Sequence, residues 1–129
     1  MSRLPLAFFA TAAVFALTGM LWGIKMGIGN DFTQAPAHAH LNLVGWASMA
    51  LMGAFYGYAA DRAPPRLGWA NYVVSMVAVV VMVPSLAMLL AAGGKMNPGV
   101  IAGSLLAVLG MALFLASVVT VWFSPRATA

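Results

Sequence analysis

Two histidines, His38 and His40, are the residues of this sequence best suited to chemistry, and they lie two positions apart. Imidazole is the commonest metal ligand among protein side chains. The sequence contains no cysteine, which excludes disulfides, thiolate metal sites and cysteine nucleophiles, and leaves the redox compartment unreadable. Any metal or cofactor chemistry would therefore use histidine, methionine, tyrosine, asparagine or the backbone.

The spacing of the two histidines limits what they can bind together. On an α-helix, residues i and i+2 are about 200° apart, so the imidazoles of His38 and His40 point to opposite sides. Two ligands from one helix to one metal need i, i+3 or i, i+4 spacing. Each imidazole must therefore serve a different site, or one is a ligand and the other a hydrogen-bond partner. Because there is no third histidine, a ligand set with two histidines on one ion requires two chains.

The residues that follow the histidines suggest a flat, apolar cofactor. With an α-helical period, Asn42 and Gly45 share the face of His38, whereas Ala47 follows His40. Gly45 beneath His38 and Ala47 beneath His40 would leave room for a ring system such as heme. Imidazole is a natural axial ligand of heme iron.

Three further residues are candidates for the same cofactor site. Trp46 is close enough in sequence to the histidines to line their pocket, although packing or anchoring at the interface is the commoner role of such a tryptophan. Lys25 and Lys95 are expected on the same side of the membrane and could pair with heme propionates. Such lysines more often serve as anchors whose charged ends reach the headgroups.

The elements that position these residues are membrane spans. Of 129 residues, 64% are apolar and only 6% are charged, against about 25% charged in an ordinary soluble domain. A net charge of +4 from scattered cations is too small for a nucleic-acid partner. Runs of about 20 apolar residues predict an all-α membrane protein, one domain over residues 1–129, with four transmembrane helices at roughly 4–24, 39–60, 67–92 and 100–123.

The positive charges predict an orientation. One side of the predicted topology carries four arginines and the other carries two lysines, Lys25 and Lys95. By the positive-inside rule, both termini are expected in the cytoplasm and the histidines near the outer face, in what we expect to be a bacterial inner membrane. A signal peptide ending near 35–37 is an alternative reading of the first span, and it would reverse this orientation. The four arginines are Arg3, Arg62, Arg66 and Arg126.

Glycines spaced by four residues predict close helix packing. Such spacing lets helix backbones approach within a membrane. Whether these contacts form within a protomer or between protomers stays open at this point. Pro84 is expected to kink the third span. The glycine ladders are Gly19, Gly23 and Gly27, then Gly53 and Gly57, then Gly99 and Gly103.

The run from His38 through Ala39, His40, Leu41 and Asn42 to Gly45 resembles the tenth helix of subunit I in the heme-copper oxidase and nitric-oxide reductase superfamily. The whole chain also looks like small four-span proteins often labelled oxidase-like. In the superfamily, the first histidine of the His-x-His pair binds the high-spin heme and the second binds the low-spin heme. The resemblance therefore implies that His38 and His40 are heme ligands.

The resemblance also implies an assembly. Subunit I of the superfamily has twelve spans in three pseudo-equivalent arcs of four, and this chain is one arc long. We therefore expect a homotrimer in which His38 of one protomer and His40 of its neighbour bind a heme b between them. A dimer remains an alternative, because two-fold assemblies are the commonest.

The sequence departs from the superfamily at the copper centre. It has no adjacent pair of histidines, and Tyr56 and Tyr58 are too far along the helix to match the family's active site. We therefore expect an incomplete oxidase, with a role in electron transfer or in heme sensing or handling. A quinone or a respiratory-chain protein is a candidate redox partner.

Two other functions stay open. Ten methionines, with Met26 and Met96 near the outer loops, are compatible with a copper-handling protein, because thioethers are soft ligands for Cu(I). Most of the methionines are expected to pack within the spans. The third reading is a non-catalytic assembly or partner subunit of a respiratory complex.

Overall fold

The computed structural model describes residues 3–125 and confirms an all-α fold with four helices long and apolar enough to cross a membrane. No β-strand occurs in that range. Arg126, which contributed to the predicted orientation, lies outside the described residues. We name the helices α1 (Arg3–Gly29), α2 (Ala35–Arg62), α3 (Pro65–Ala91) and α4 (Pro98–Phe123).

Three of the helices begin a few residues before the predicted spans, and a proline lies in the first turn of each. Pro36, Pro65 and Pro98 occupy the first or second position of α2, α3 and α4. The backbone N–H that proline lacks has no helical partner in a first turn, so its loss costs nothing there. The side chain of Asn97 caps α4 by accepting a hydrogen bond of 3.2 Å from the N–H of Val100.

Helix α1 continues five residues beyond its predicted end at Ile24 and includes Gly27 and Gly29, which lie beyond the predicted span. It ends where Asn30 adopts a left-handed conformation with φ +47°. The N–H of Asp31 then donates to the carbonyl of Met26 at 3.2 Å, and the N–H of Asn30 donates to that of Gly27 at 3.3 Å. These bonds satisfy carbonyls that the helix end would otherwise leave free.

Helix α2 changes its helical period immediately after the histidines. Residues Ala35–His40 are α-helical, Leu41–Ala47 form a π-helix, and Ser48–Ala59 return to α-helix. A π-turn closes through i to i+5 hydrogen bonds, so it holds more residues than an α-turn. The prediction that Gly45 lies beneath His38 and Ala47 beneath His40 assumed an α-helical period, and that period does not apply beyond His40.

The helices pack as two neighbouring pairs. Helix α1 packs mainly on α2, α4 packs mainly on α3, and α3 also contacts α1 and α2. The main core surrounds the fully buried Phe8 and Met49. Only 22% of the most apolar stretch of α1, and 17% of that of α4, is buried within the chain. Most of their apolar surface therefore faces outward, as expected for helices in contact with lipid or with other chains.

The glycine ladders, with one exception, serve contacts within this chain. A Cβ atom added at any of these glycines except Gly27 would meet another helix within 4 Å, whereas none lies within that distance at Gly27. The question that the sequence left open is therefore decided in favour of packing within the protomer. The contacts are Gly19 with Asn42, Gly23 with His38, Gly53 with Phe8, Gly57 with Pro5, Gly99 with Ser85, and Gly103 with Met82.

Candidate functional site

His38 lies half-buried between α1 and α2. A Cβ atom at Gly23 of α1 would lie 3.1 Å from Cε1 of the imidazole, so the absence of a side chain there allows His38 to pack on α1. The ring of Trp22 packs edge-on against the imidazole, with the ring centroids 6.4 Å apart. The glycine ladder of α1 is thus the surface that receives the first histidine.

Asn42 holds His38 from below, on the same face of α2. Its Nδ2 donates to the carbonyl of His38 at 2.9 Å and lies 3.4 Å from Nδ1 and 3.2 Å from Nε2 of the imidazole. A nitrogen almost equidistant from both ring nitrogens cannot lie in line with the lone pair of either. Asn42 therefore positions the imidazole without committing it to one tautomer. Gly19 provides the space on α1 for the Asn42 side chain.

His40 is exposed on the outside of the bundle and has a defined tautomer. Its Nδ1 lies 2.8 Å from the carbonyl oxygen of Pro36, one turn earlier. Since a carbonyl can only accept, Nδ1 carries the proton and donates it, so in the neutral ring Nε2 keeps a free lone pair. Nε2 has no partner within residues 3–125. Metal-ligating histidines commonly donate one ring N–H to a backbone carbonyl in this way, so the geometry is compatible with a ligand at Nε2.

The two imidazoles therefore have different surroundings, one between two helices and one open to the exterior. No group of three or more histidine, cysteine, aspartate or glutamate side chains that could hold a metal ion occurs in the described part of the chain. On the outside of the bundle, each chain presents one imidazole nitrogen to a metal ion, the Nε2 of His40. A second imidazole on the same ion would come from another chain.

The other predicted site residues lie apart from the histidines to different degrees. Gly45 is buried, and its nearest neighbours are Phe15 and Val79 in the core of the bundle. Trp46 is 48% exposed on the surface of α2. Within residues 3–125, no hydrogen bond or ring contact joins either residue to His38 or His40, so their role in a cofactor site stays a prediction.

Lys25 and Lys95 are both exposed and lie at the end of the bundle that carries the histidines. Lys25 lines a cavity of about 720 Å³ together with Trp22, whose ring contacts His38. Gln34 lies in the wall of the same cavity and donates from Nε2 to the carbonyl of Ala87 at 3.2 Å, which ties the loop after α1 to α3. Lys25 therefore lines the same cavity as the tryptophan whose ring contacts His38.

The methionines considered for copper are not brought together. Met26 is buried at 8% exposure within α1, whereas Met96 is 66% exposed in the loop before α4. No contact within the described residues joins their sulfur atoms.

A buried polar chain that the sequence did not predict lies in the half of the bundle away from the histidines. Ser75 donates to Asn71 at 3.0 Å, and Asn71 donates to the hydroxyl of Tyr56 at 3.1 Å. Because Ser117 gives its proton to the carbonyl of Leu113, Tyr56 donates to Ser117 across 2.8 Å. The i, i+4 pair of polar residues on an otherwise apolar α3 was the available signal, since polar groups inside a membrane need partners.

No known protein family, curated protein or solved structure matches this chain. Its function must therefore be argued from the geometry of its own residues.

Proposed function

We propose that this protein is a membrane cytochrome that binds heme b between protomers and transfers electrons. The observation that carries the proposal is the Nδ1 hydrogen bond from His40 to the carbonyl of Pro36, which leaves Nε2 free on the outside of the bundle. The imidazoles of His38 and His40 suit heme, because a neutral imidazole oriented through its second nitrogen is a common ligand of heme iron.

The proposal that two protomers share one heme follows from the number and placement of the histidines. Both lie on α2 and face different surroundings, so one protomer does not present two imidazoles to the same iron. His38 of one protomer and His40 of its neighbour would together hold the heme iron. With both positions taken the iron would not bind a substrate, so heme would supply a one-electron iron couple and no site for oxygen reduction.

The length of α2 supports a location near the membrane interface. At 1.5 Å per residue, a helix of 28 residues is about 42 Å long, whereas the hydrocarbon core is about 30 Å thick. His38 and His40 are the fourth and sixth residues of α2, so they would lie close to the edge of the hydrocarbon. With the orientation predicted from the arginines, this edge faces the outside of a bacterial inner membrane and the termini face the cytoplasm.

Lys25 supports the same assignment, because it would offer a cation to the carboxylates of a heme held at this depth. The exposed apolar surfaces of α1 and α4 leave ample area for protomer contacts. We favour a trimer, in which three four-helix units form a ring, and a dimer is the alternative.

The test is an absorption spectrum of the purified protein with heme, together with its mass corrected for bound detergent. Wild-type protein should show sharp α and β bands on reduction. His38→Ala and His40→Ala should each abolish them, whereas Met96→Ala, a change of an exposed residue at the same end of the bundle, should not. Loss in only one histidine variant would exclude the shared ligation. A colourless wild-type protein that binds Cu(I) stoichiometrically would replace heme by copper, and a monomeric mass would exclude the assembly.

A further inference from the structure

A second candidate binding site lies at the opposite end of the bundle from the histidines. A groove of about 400 Å³ opens between the last turns of α2 and α4. Both helices end there, so in a membrane this groove lies at the level of the lipid headgroups. It is lined by Phe55, Tyr58, Arg62, Val118, Val121, Trp122 and Ser124.

The outer part of the groove offers hydrogen-bond donors and one positive charge. The guanidinium of Arg62 lies 5.7 Å from the centre of the Tyr58 ring, and within residues 3–125 it makes no ion pair with a carboxylate. Tyr58 and Trp122 are each 80% exposed, which leaves the phenol O–H and the indole N–H free to donate. No acidic side chain lines the groove. These groups together favour an anion.

The inner part of the groove is apolar. Val118 and Val121 of α4 face Phe55 of α2 across the groove, and Phe55 packs edge-on against Phe114 with the ring centroids 5.2 Å apart. Free phosphate would leave these walls uncovered, whereas a hydrocarbon chain would cover them. Arginine presents a planar fork of donors that matches phosphate oxygens.

We propose that this groove binds an anionic phospholipid, with the phosphate on Arg62 and one acyl chain along Phe55 and Val118. Tyr58 and Trp122 would contact the headgroup and glycerol region, where such side chains concentrate in membrane proteins. Arg66, at the same end but outside the groove, would add attraction for anionic lipid without contacting the bound molecule. The proposal is independent of the heme assignment.

Native mass spectrometry of the full chain, titrated with phosphatidylglycerol or phosphatidylcholine in detergent, tests the proposal. Wild-type protein should retain phosphatidylglycerol preferentially. Arg62→Gln should weaken that binding by about tenfold or more, the loss expected for a charge-assisted hydrogen bond. Arg66→Gln removes a positive charge outside the groove. It should change the affinity for phosphatidylglycerol by less than about twofold, as expected for an exposed charge screened by salt.

A second variant keeps the charge and fills the apolar wall. Val118→Trp should also reduce phosphatidylglycerol binding, because the indole ring would fill the space proposed for the acyl chain of the lipid. Equal losses in Arg62→Gln and Arg66→Gln, or unchanged binding in Val118→Trp, would overturn the site. Displacement of the lipid by millimolar inorganic phosphate would also overturn it, since the groove would then recognise phosphate alone.

Discussion

Replacing Gly103 by alanine tests a close approach of the α3 and α4 backbones. A Cβ atom at position 103 would lie 2.5 Å from Cβ and 2.6 Å from Cα of Met82. Carbon atoms pack best at about 3.5–4.0 Å, so the shortfall is about 1 Å, and it falls on backbone that cannot rotate away. Overpacking of this kind costs about 1–3 kcal/mol, whereas glycine to alanine within a helix gains about 0.5–1 kcal/mol. We expect a net destabilisation of about 1–2 kcal/mol.

Two matched variants separate packing from helix propensity. Gly27→Ala introduces the same methyl group where no atom lies within 4 Å, so it should be neutral or stabilising by up to about 1 kcal/mol. In Gly110→Ala the nearest atom, at 2.6 Å, is the Oγ of Ser75, a side-chain end that can turn aside if it gives up its hydrogen bond to Asn71. Its cost should therefore fall between those of the other two.

The measurement is reversible unfolding of each variant in mixed micelles with increasing sodium dodecyl sulfate, followed by far-UV circular dichroism. The expected order of stability is Gly27→Ala, then Gly110→Ala, then Gly103→Ala. If Gly103→Ala proves as stable as Gly27→Ala, the helices do not meet through the backbone at this position and the argument is refuted.

Three further outcomes follow from local geometry. Tyr56→Phe should destabilise the fold by about 1–3 kcal/mol in the same unfolding assay, because the buried amide of Asn71 loses its oxygen acceptor and keeps only the weak sulfur acceptor of Met52, and an unchanged midpoint would contradict the polar chain. Ala60 has φ +47°, a conformation that suits glycine, so Ala60→Gly should raise the free energy of unfolding by about 1 kcal/mol, and a lower value would count against strain at this turn. The hydroxyl and N–H of Thr33 donate to Asp31 at 2.7 and 3.0 Å and lower the pKa of this carboxyl, so their stabilisation is present above the unfolded pKa and is lost as pH falls through the lower folded value. Thr33→Val should raise the Asp31 pKa in a carboxyl NMR titration, and an unmoved titration would exclude the hydroxyl as the main cause.

The sequence predicted the four helices well because membrane insertion depends on local composition. Runs of apolar residues and prolines at helix starts depend on neighbours a few positions away. The errors fell at helix ends, where α1 runs through Gly27 and Gly29. Glycine often ends a helix because it readily adopts the left-handed conformation found just after the last helical turn. In α1 that conformation is adopted by Asn30, so the helix continues through both glycines.

The candidate site was predictable in its residue types but not in its arrangement. The i, i+2 spacing places His38 and His40 on different sides of α2, and that inference used only local geometry. The π-helix at Leu41–Ala47 has no signature in the apolar pattern, so the faces assigned to Gly45 and Ala47 could not be corrected from sequence. One change of helical period alters the direction of every side chain that follows.

The sequence by itself determined four apolar helices long enough to span a membrane, with two histidines two positions apart on the second. Only the tertiary structure decided that His38 packs on Gly23 while His40 faces outward, and that Tyr56 bonds to Ser117, 61 residues away. The physical reason is that apolar periodicity reports burial averaged over a segment. The partner of each side chain depends on how segments distant in the chain pack together.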